Sequence, residues 1–315
     1  MIMRINKIIL IIILTVLFIS ACWFFNIKIL LADHYLKEAI AYRKGNSWPI
    51  SLLNYEKVLF YQPKESYYQQ SLAMNLLSGL DFYKSNDSKI KILDLAIDQM
   101  KTIPERDQVF EVKTYLARIY GQKANLTKDQ NDFLLAENTF KQAAEMSPNM
   151  AAIYNDWCQV KIYQENWSQA LEMCEKSLSL APDLNNSQMN AIHREMVKSE
   201  LSTLYEKFGQ IYFNLKDYKK SEEMYNQVLK FVSLNRPDIW KKIADIYYVQ
   251  GDLDTAIQKN MHGYGLNPKD PTWPLAIASL YQEKGNLEMA REYGQKALKL
   301  NPDNIQVKTF LENIK

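Results

Sequence analysis

Residues 240–268 read WKKIADIYYVQGDLDTAIQKNMHGYGLNP, and residues 274–302 read PLAIASLYQEKGNLEMAREYGQKALKLNP. The two segments place small, aromatic, glycine and proline residues at equal spacing, about 34 residues apart. A fixed period of this length predicts a repeated supersecondary unit. The matching pairs are Ala244 and Ala278, Tyr247 and Tyr281, Gly251 and Gly285, Ala256 and Ala290, and Pro268 and Pro302.

Each copy predicts two short amphipathic helices that pack as a hairpin. Ala244 and Ala256 are small, so the two backbones can approach there, and Tyr247 fills the space beside them. Gly251 favours the left-handed conformation that ends the first helix, and Pro268 stops the second. Because one hairpin cannot bury its apolar face alone, consecutive units are expected to stack.

The segment Trp240-x-x-Ile243-Ala244-x-x-Tyr247 resembles the W-x2-L-G-x2-Y signature of the tetratricopeptide repeat (TPR). The resemblance covers nearly all of the chain after residue 31. It implies an all-α fold, a right-handed α-solenoid of about seven TPR hairpins. The expected solenoid, 32–315, divides into units at 32–65, 66–105, 106–149, 150–183, 184–236, 237–270 and 271–303, with a capping helix over 304–315.

Three of these units depart from the regular spacing. In the second, a stretched turn at residues 84–88 is expected between the two helices. In the third, a longer polar connection from Gln122 to Asp132 is expected between the two helices. In the fifth, the pattern from Gln188 to Phe213 predicts one long helix, for which Ser187 is the expected N-cap.

The N-terminus predicts a helix that enters a membrane. After Arg4 and Lys7, residues 8–25 carry no charge, and the apolar run resumes at 29–31. A run of about 18 such residues is long enough to span a bilayer core of about 30 Å. Residues 1–31 are therefore expected to be one transmembrane or signal helix.

Three fates of this helix stay open. An uncleaved signal anchor is favoured, because the apolar run continues past any cleavage point. Ile19-Ser20-Ala21-Cys22 resembles the bacterial lipobox, which would make Cys22 the lipidated residue, although aromatic residues follow it directly. Cleavage of an ordinary secretion signal is the third. The short basic N-terminus predicts that the repeats lie outside the cytoplasm of a bacterium, but lysines behind the span weaken this asymmetry.

The first half has a second, narrower resemblance. An apolar helix runs directly into residues 31–35, then come one regular hairpin, two hairpins with long inner turns, and Arg106-Asp107-x-x-Phe110. This arrangement is similar to the tail behind the last membrane helix of bacterial O-antigen ligase/polymerase-like proteins. Since that family's polytopic catalytic region is missing here, the resemblance implies no enzyme activity. It leaves open an accessory role in surface polysaccharide or cell-envelope assembly.

Composition and motifs predict a binding protein without catalysis. The formal net charge of +2 gives no reason to expect nucleic acid as the partner. His34, His193 and His262 have no metal-ligand spacing, and neither a P-loop nor a G-x-S-x-G motif occurs. We therefore expect no catalytic residue, no metal and no cofactor.

The candidate binding surface is the inner, concave face of the solenoid, which the first helix of each hairpin lines. Tyrosine and phenylalanine there supply contact area, and polar groups orient a ligand. Such a mixed lining suits a peptide or a helix of a partner protein, and it leaves a glycan open. The lining residues are Arg118, Gln159, Tyr163, Gln210, Phe213, Lys241, Asp245 and Tyr248.

Cys158 and Cys174 lie roughly opposite each other in the hairpin expected at 150–183. Two interpretations stay open. In an oxidising compartment the pair can form a disulfide, whereas two small core residues need no bond. Packed helices usually hold Cα atoms farther apart than the limit of about 7 Å for a disulfide.

Overall fold

The computed structural model describes residues 2–45, 47–232 and 235–314. Met1 and Lys315, and the side chains of Arg4 and Lys7 used above, lie outside the described residues. The fold is 81% helical, and no strand occurs in the described part of the chain. The all-helical solenoid predicted from the repeat is thus confirmed. The chain forms two compact units, Met1–Gln164 and Glu165–Lys315.

In the first unit, successive helices pack on one another through small and apolar faces. α1 packs on α2, α3 on α4 and α5 on α6, while α7 packs on both α5 and α6. The connections α5–α6 and α6–α7 are short, as expected for antiparallel neighbours, whereas residues 79–85, which include a 3-10 helix, connect α3 to α4. The helices are α1 (Ile2–Lys44), α2 (Trp48–Tyr61), α3 (Ser66–Ser78), α4 (Asn86–Lys101), α5 (Phe110–Thr127), α6 (Gln130–Met146) and α7 (Ala151–Tyr163), with 3-10 helices at Leu80–Phe82 and Glu105–Asp107.

A buried hydrogen-bond chain ties the first three helices together. The Ser51 hydroxyl of α2 donates to the Ala39 carbonyl of α1 at 2.8 Å, and the Asn75 amide of α3 donates to Ser51 Oγ at 3.1 Å. All three residues are completely buried. Satisfied polar groups of this kind fix one register between packed helices.

The polar connection expected from Gln122 to Asp132 is wrong, because helix occupies most of it. α5 continues to Thr127, and only Lys128 and Asp129 separate it from α6. The polar residues there are one face of a helix: Lys123 Nζ lies 2.9 Å from an Asp94 carboxylate oxygen of α4. Lys128 takes the left-handed conformation, with φ of 58°, which makes the short turn possible.

The second unit repeats the same construction. α9 packs on α10, α11 on α12 and α13 on α14, while α8 packs on α9 and α15 on α14. Consecutive hairpins meet through α10 with α11 and α12 with α13. The helices are α8 (Trp167–Ser179), α9 (Ala191–Asn214), α10 (Tyr218–Val232), α11 (Pro237–Val249), α12 (Leu253–Leu266), α13 (Thr272–Glu283), α14 (Leu287–Leu300) and α15 (Ile305–Asn313).

The turn predicted from the repeat is confirmed in the second unit. Gly251 and Gly285 have φ of 79° and 82°, the left-handed region that glycine adopts without strain. The next residue caps the following helix each time: the Asp252 carboxylate accepts from the Thr255 N–H at 3.0 Å, and the Asn286 side chain plays the same role. Lys216 adopts this conformation too, with φ of 62°.

The long helix predicted over 188–213 corresponds to α9, but its cap is not Ser187. Asn190 is the N-cap, and its side-chain oxygen accepts from the His193 N–H at 2.8 Å. The three residues before Asn190 lie in a turn, in which Asn186 Oδ1 accepts from the Gln188 N–H at 2.9 Å. The number of repeats and their predicted boundaries stay predictions.

Candidate functional site

A cavity of about 210 Å³ opens between α11 and α13 in the second unit. Lys241, Asp245 and Tyr248 lie on α11 at intervals of four and three residues, so their side chains share one face of the helix. α13 supplies the opposite wall with the same spacing, and α12 contributes the buried Asn260. We call this cavity the C-terminal groove. Its lining is Lys241, Asp245, Tyr248, Asn260, Ala276, Ser279, Leu280 and Glu283.

The C-terminal groove combines an apolar wall with charges of both signs. Leu280 is 8% exposed, whereas the Tyr248 ring beside it is 45% exposed and available for contact. Partial removal of water raises the pKa of the exposed Asp245 carboxyl, and Lys241, one turn away, acts in the opposite direction. Together with Glu283, the lining places two carboxyl groups near one ammonium group, so it favours a ligand with a cationic or amide group.

Arg118 takes part in a different arrangement, between α5 and α7 of the first unit. Its Nε donates to Asp156 Oδ2 at 3.1 Å, and Nη2 donates to the same oxygen. The guanidinium also lies over the Tyr115 ring, 5.3 Å from its centroid. These residues line a cavity of about 230 Å³. Because its guanidinium is bound to Asp156, Arg118 links α5 to α7, and a ligand would have to compete with that ion pair.

The remaining predicted lining residues have separate surroundings. Tyr163 lines another cavity, of about 240 Å³, with Leu77 and Asp81 among its neighbours. Burial raises the pKa of the Tyr163 hydroxyl. Phe213 packs into the core of α9 to α11, with its ring 5.8 Å from that of Tyr218. Gln159 on α7 is half-buried, and Gln210 on α9 is exposed.

The α13 side of the C-terminal groove was not predicted from the sequence. The prediction named Lys241, Asp245 and Tyr248, which all lie on α11, and did not include the equivalent positions of the next repeat. A shift of about 34 residues takes Asp245 onto Ser279, which does line the groove. The repeat period therefore held a signal for Ser279, whereas the buried Asn260 of α12 has no counterpart in that argument.

The N-terminal part of α1 exposes apolar side chains along its length. Phe18 is 70% exposed, Trp23 69% and Leu30 67%. The segment Ile13–Lys44 is long and apolar enough to cross a membrane, and its most apolar stretch is not buried in the fold. A helix of this kind near an N-terminus is typical of an anchor and also of a signal sequence.

The three cysteine side chains differ in exposure. Cys22 is a free, exposed thiol, and Cys158 and Cys174 are completely buried in α7 and α8. The disulfide and the lipidation of Cys22 stay predictions. In the part of the chain that the structure describes, no three histidine, cysteine or acidic side chains are placed to hold a metal ion.

A tetratricopeptide repeat model matches residues 117–150, 202–231 and 275–304. The chain contains tetratricopeptide repeats. The matched segments lie in both compact units, and the last one includes the α13 side of the C-terminal groove. Tetratricopeptide repeats generally mediate protein interactions and are generally non-catalytic.

The chain is similar in sequence or in structure to three known proteins. The chain is 23% identical over 239 residues to a DnaJ homolog subfamily C member 7 homolog of Dictyostelium discoideum, covering 69% of this chain and 42% of that protein. It is 27% identical over 121 residues to the photosystem I assembly protein Ycf3 of Prochlorococcus marinus (strain NATL2A), covering 33% of this chain and 70% of that protein. The structure of the C-terminal part of a TPR repeat-containing protein from Cytophaga hutchinsonii is similar, with a TM-score of 0.52 and 15% identity, covering 88% of this chain and 99% of that one. The structural likeness shows the fold alone.

Proposed function

We propose that this chain is a membrane-tethered TPR scaffold that binds a partner protein or peptide and catalyses no reaction. The observation that carries the proposal is the C-terminal groove, where three lining residues predicted from sequence meet a second wall from α13. An exposed aromatic ring beside a buried apolar wall is typical of the centre of a protein interface.

The lining also indicates what kind of peptide fits. Leu280 and Ala276 favour an apolar side chain, and Tyr248 covers it from α11. Asp245 and Glu283 favour a basic or amide group next to that side chain, since a carboxyl group that loses water needs a donor. We therefore propose a partner segment that carries an apolar residue beside a basic one.

A peptide-display selection tests this binding site. The full chain, solubilised in detergent, is immobilised and used to select peptides from a random library. The selected peptides are then measured against the unchanged chain, Tyr248→Ala and Val249→Ala. Val249 is the matched control, because it follows Tyr248 on the same helix and is 46% exposed, against 45% for Tyr248.

Tyr248→Ala is expected to weaken binding about tenfold or more, in the range of an interface hot spot. Val249→Ala is expected to bind like the unchanged chain. Equal binding by all three proteins would remove the groove from the proposal. Phe213 is not used as a test residue because its ring packs in the core, where truncation also lowers stability.

The tether is proposed from α1. Its exposed apolar side chains, among them Leu17 and Phe18, have hydrocarbon as their natural surroundings. In the proposed arrangement an uncleaved signal anchor holds the repeats on the outer face of a bacterial membrane, following the short basic N-terminus. Mass spectrometry of the purified protein distinguishes the two possibilities. An intact Met1 supports the uncleaved anchor, whereas an acylated Cys22 would show that the protein is a lipoprotein.

The cysteine pair bears on the compartment. Cys158 and Cys174 are both fully buried, which suits a structural bond formed during export. We propose that they are joined in the exported protein. Alkylation of the denatured, unreduced protein should then label Cys22 alone, and labelling of all three thiols would contradict the bond.

An accessory role in surface polysaccharide assembly stays the alternative hypothesis. It rests on the resemblance of the first half to the tail of O-antigen ligase-like proteins. A gene for a polytopic glycan enzyme beside this one would support it.

A further inference from the structure

One unbroken helix, α1, joins the exposed apolar segment to the first hairpin, so it determines which end of that hairpin faces the proposed membrane. The helix passes without a break from exposed apolar residues, such as Leu30, into a segment where Ala32 and Leu36 are buried in the core of the first unit. No flexible linker separates the two parts, since all of Ile2–Lys44 is helical. The height of the first hairpin above the proposed membrane therefore follows from residue numbers along α1.

Three contacts identify which part of the unit lies level with the start of the packed segment. The Tyr61 ring stacks on Tyr35, with centroids 5.9 Å apart, and Lys57 Nζ lies 4.7 Å from the centre of the same ring. The Tyr68 hydroxyl donates to Asp33 Oδ1 at 2.6 Å. The end of α2 and the start of α3 thus lie at the height of residues 33–35.

That height falls in the polar layer of a bilayer. With the hydrocarbon edge at Leu31, where the resumed apolar run ends, residues 33–35 lie about 3–6 Å beyond it at about 1.5 Å per residue, and the Lys28 side chain, about 4.5 Å below the edge, extends to the polar layer. The headgroup layer extends about 5–7 Å beyond the hydrocarbon on each side. The connection between α2 and α3 is therefore placed where tyrosine, tryptophan and lysine side chains are enriched in membrane proteins.

The exposed side chains at this connection suit that layer. Phe60 is 80% exposed and Tyr67 is 59% exposed, so both rings are available for contact. Lys64 lies between them in the connection and is also exposed, as is Glu65. Exposed aromatic side chains beside a lysine are typical of the polar layer of a lipid bilayer.

We propose that Phe60 and Tyr67 insert into the headgroup layer of the membrane that α1 enters, so that the first hairpin is seated on the bilayer. The proposal rests on the membrane tether proposed above. It assigns a second lipid contact, outside α1, to a part of the repeat region. A rigid seat of this kind would orient the first unit with respect to the membrane.

The first hairpin region offers a matched control in Phe82. This residue is also an exposed phenylalanine, at 55%, but it lies at the opposite end of α3 from Tyr67. The Trp48 indole N–H donates to the hydroxyl of the neighbouring Tyr83 at 3.3 Å, which places Phe82 near the start of α2. The length of α2 separates that end from Phe60 by about 20 Å.

Photocrosslinking to lipid tests the proposal in the full chain. A benzoyl-phenylalanine replaces Phe60, Phe82 or Leu17, one at a time, and each protein is reconstituted into vesicles of phosphatidylcholine and phosphatidylglycerol. After irradiation, covalently attached phospholipid is measured by mass spectrometry. We expect lipid adducts at positions 17 and 60, with at least fivefold less adduct at position 82.

The other outcomes separate the two proposals. Adducts at 17 with none at 60 would overturn the seated hairpin and leave the tether in place. Equal adducts at 60 and 82 would also overturn it, because the contact would not be specific for the membrane end. If position 17 yields no adduct either, the tether itself fails, and the seated hairpin fails with it.

Discussion

Replacing Gly263 by alanine tests how closely consecutive hairpins pack in the second unit. Gly263 lies in α12 and faces Trp273 of α13. A Cβ atom added at Gly263 would lie 2.4 Å from the Cη2 atom of the Trp273 ring, well inside van der Waals contact. Trp273 is only 5% exposed, so its ring cannot turn aside without disturbing its neighbours. The contact belongs to the α12–α13 interface, where one hairpin stacks on the next.

The structure sets the size of the effect and provides its control. Overpacking a close contact costs about 1–3 kcal/mol. Gly265 lies two residues farther along α12, and a Cβ added there meets no atom within 4 Å. Gly265→Ala should therefore gain up to about 0.5–1 kcal/mol from reduced freedom of the unfolded chain. Since both substitutions have this gain in common, the two variants should differ by the overpacking cost alone, about 1–3 kcal/mol.

Urea unfolding of the full chain in detergent, followed by circular dichroism at helical wavelengths, measures the difference. With slopes of about 1–3 kcal/mol per molar urea, the midpoint of Gly263→Ala should fall clearly below that of Gly265→Ala. Trp273→Phe should reduce the cost of Gly263→Ala, because the smaller ring leaves room for the methyl group. Equal midpoints for the two alanine variants would refute the packing of Trp273 on Gly263.

Three further predictions concern charge and turn geometry. Asp245→Asn should raise the urea midpoint at neutral pH and leave it unchanged near pH 3. The folded chain holds the Asp245 proton more tightly than the unfolded chain does, because the pKa of this carboxyl is raised in the fold. The stability of the unchanged protein therefore falls as the pH rises above about 4 and through the raised pKa. A double-mutant cycle of Arg118→Ala and Asp156→Ala, measured by urea unfolding, should give a coupling of about 0.5–3 kcal/mol, and additive effects would contradict the half-buried pair. Gly251→Ala should lower stability by about 1–2 kcal/mol in thermal unfolding, although the site is open, because φ is 79° there. An unchanged melting temperature would speak against that turn.

The features that sequence predicted correctly depend on neighbours along the chain. Ala244 and Ala278 are 1% and 0% exposed, as the small positions of the repeat require, and Gly251 has the predicted left-handed conformation. These features could be predicted because they depend only on the conformational preference of the residue itself and on the repeat period that the geometry of one hairpin imposes. A stretch of sequence about one repeat long therefore contains everything that the prediction needs.

The predictions that went wrong or stayed incomplete depend on partners far along the chain. The polar residues after Gln122 suggested a loop, yet Lys123 is tied to Asp94 of another helix, and this partner cannot be read from the local pattern. The lining role of Arg118 stays a prediction, but its guanidinium also has a distant partner, Asp156, 38 residues later, which the local pattern does not indicate. Polarity along one helix does not indicate whether a charge faces water, a ligand or another helix.

The repeat also explains why one helix can serve stability and recognition without conflict. On α11, Ile243, Ala244 and Ile246 are buried in the core, while Asp245 and Tyr248 face the C-terminal groove. Since 3.6 residues make a turn, these sets occupy different faces, and a change on one leaves the packing of the other intact. Truncation of Ile243 should therefore cost about 2–5 kcal/mol of stability. Truncation of the exposed Tyr248 ring should instead alter binding, so a variant that loses ligand at full stability identifies the groove.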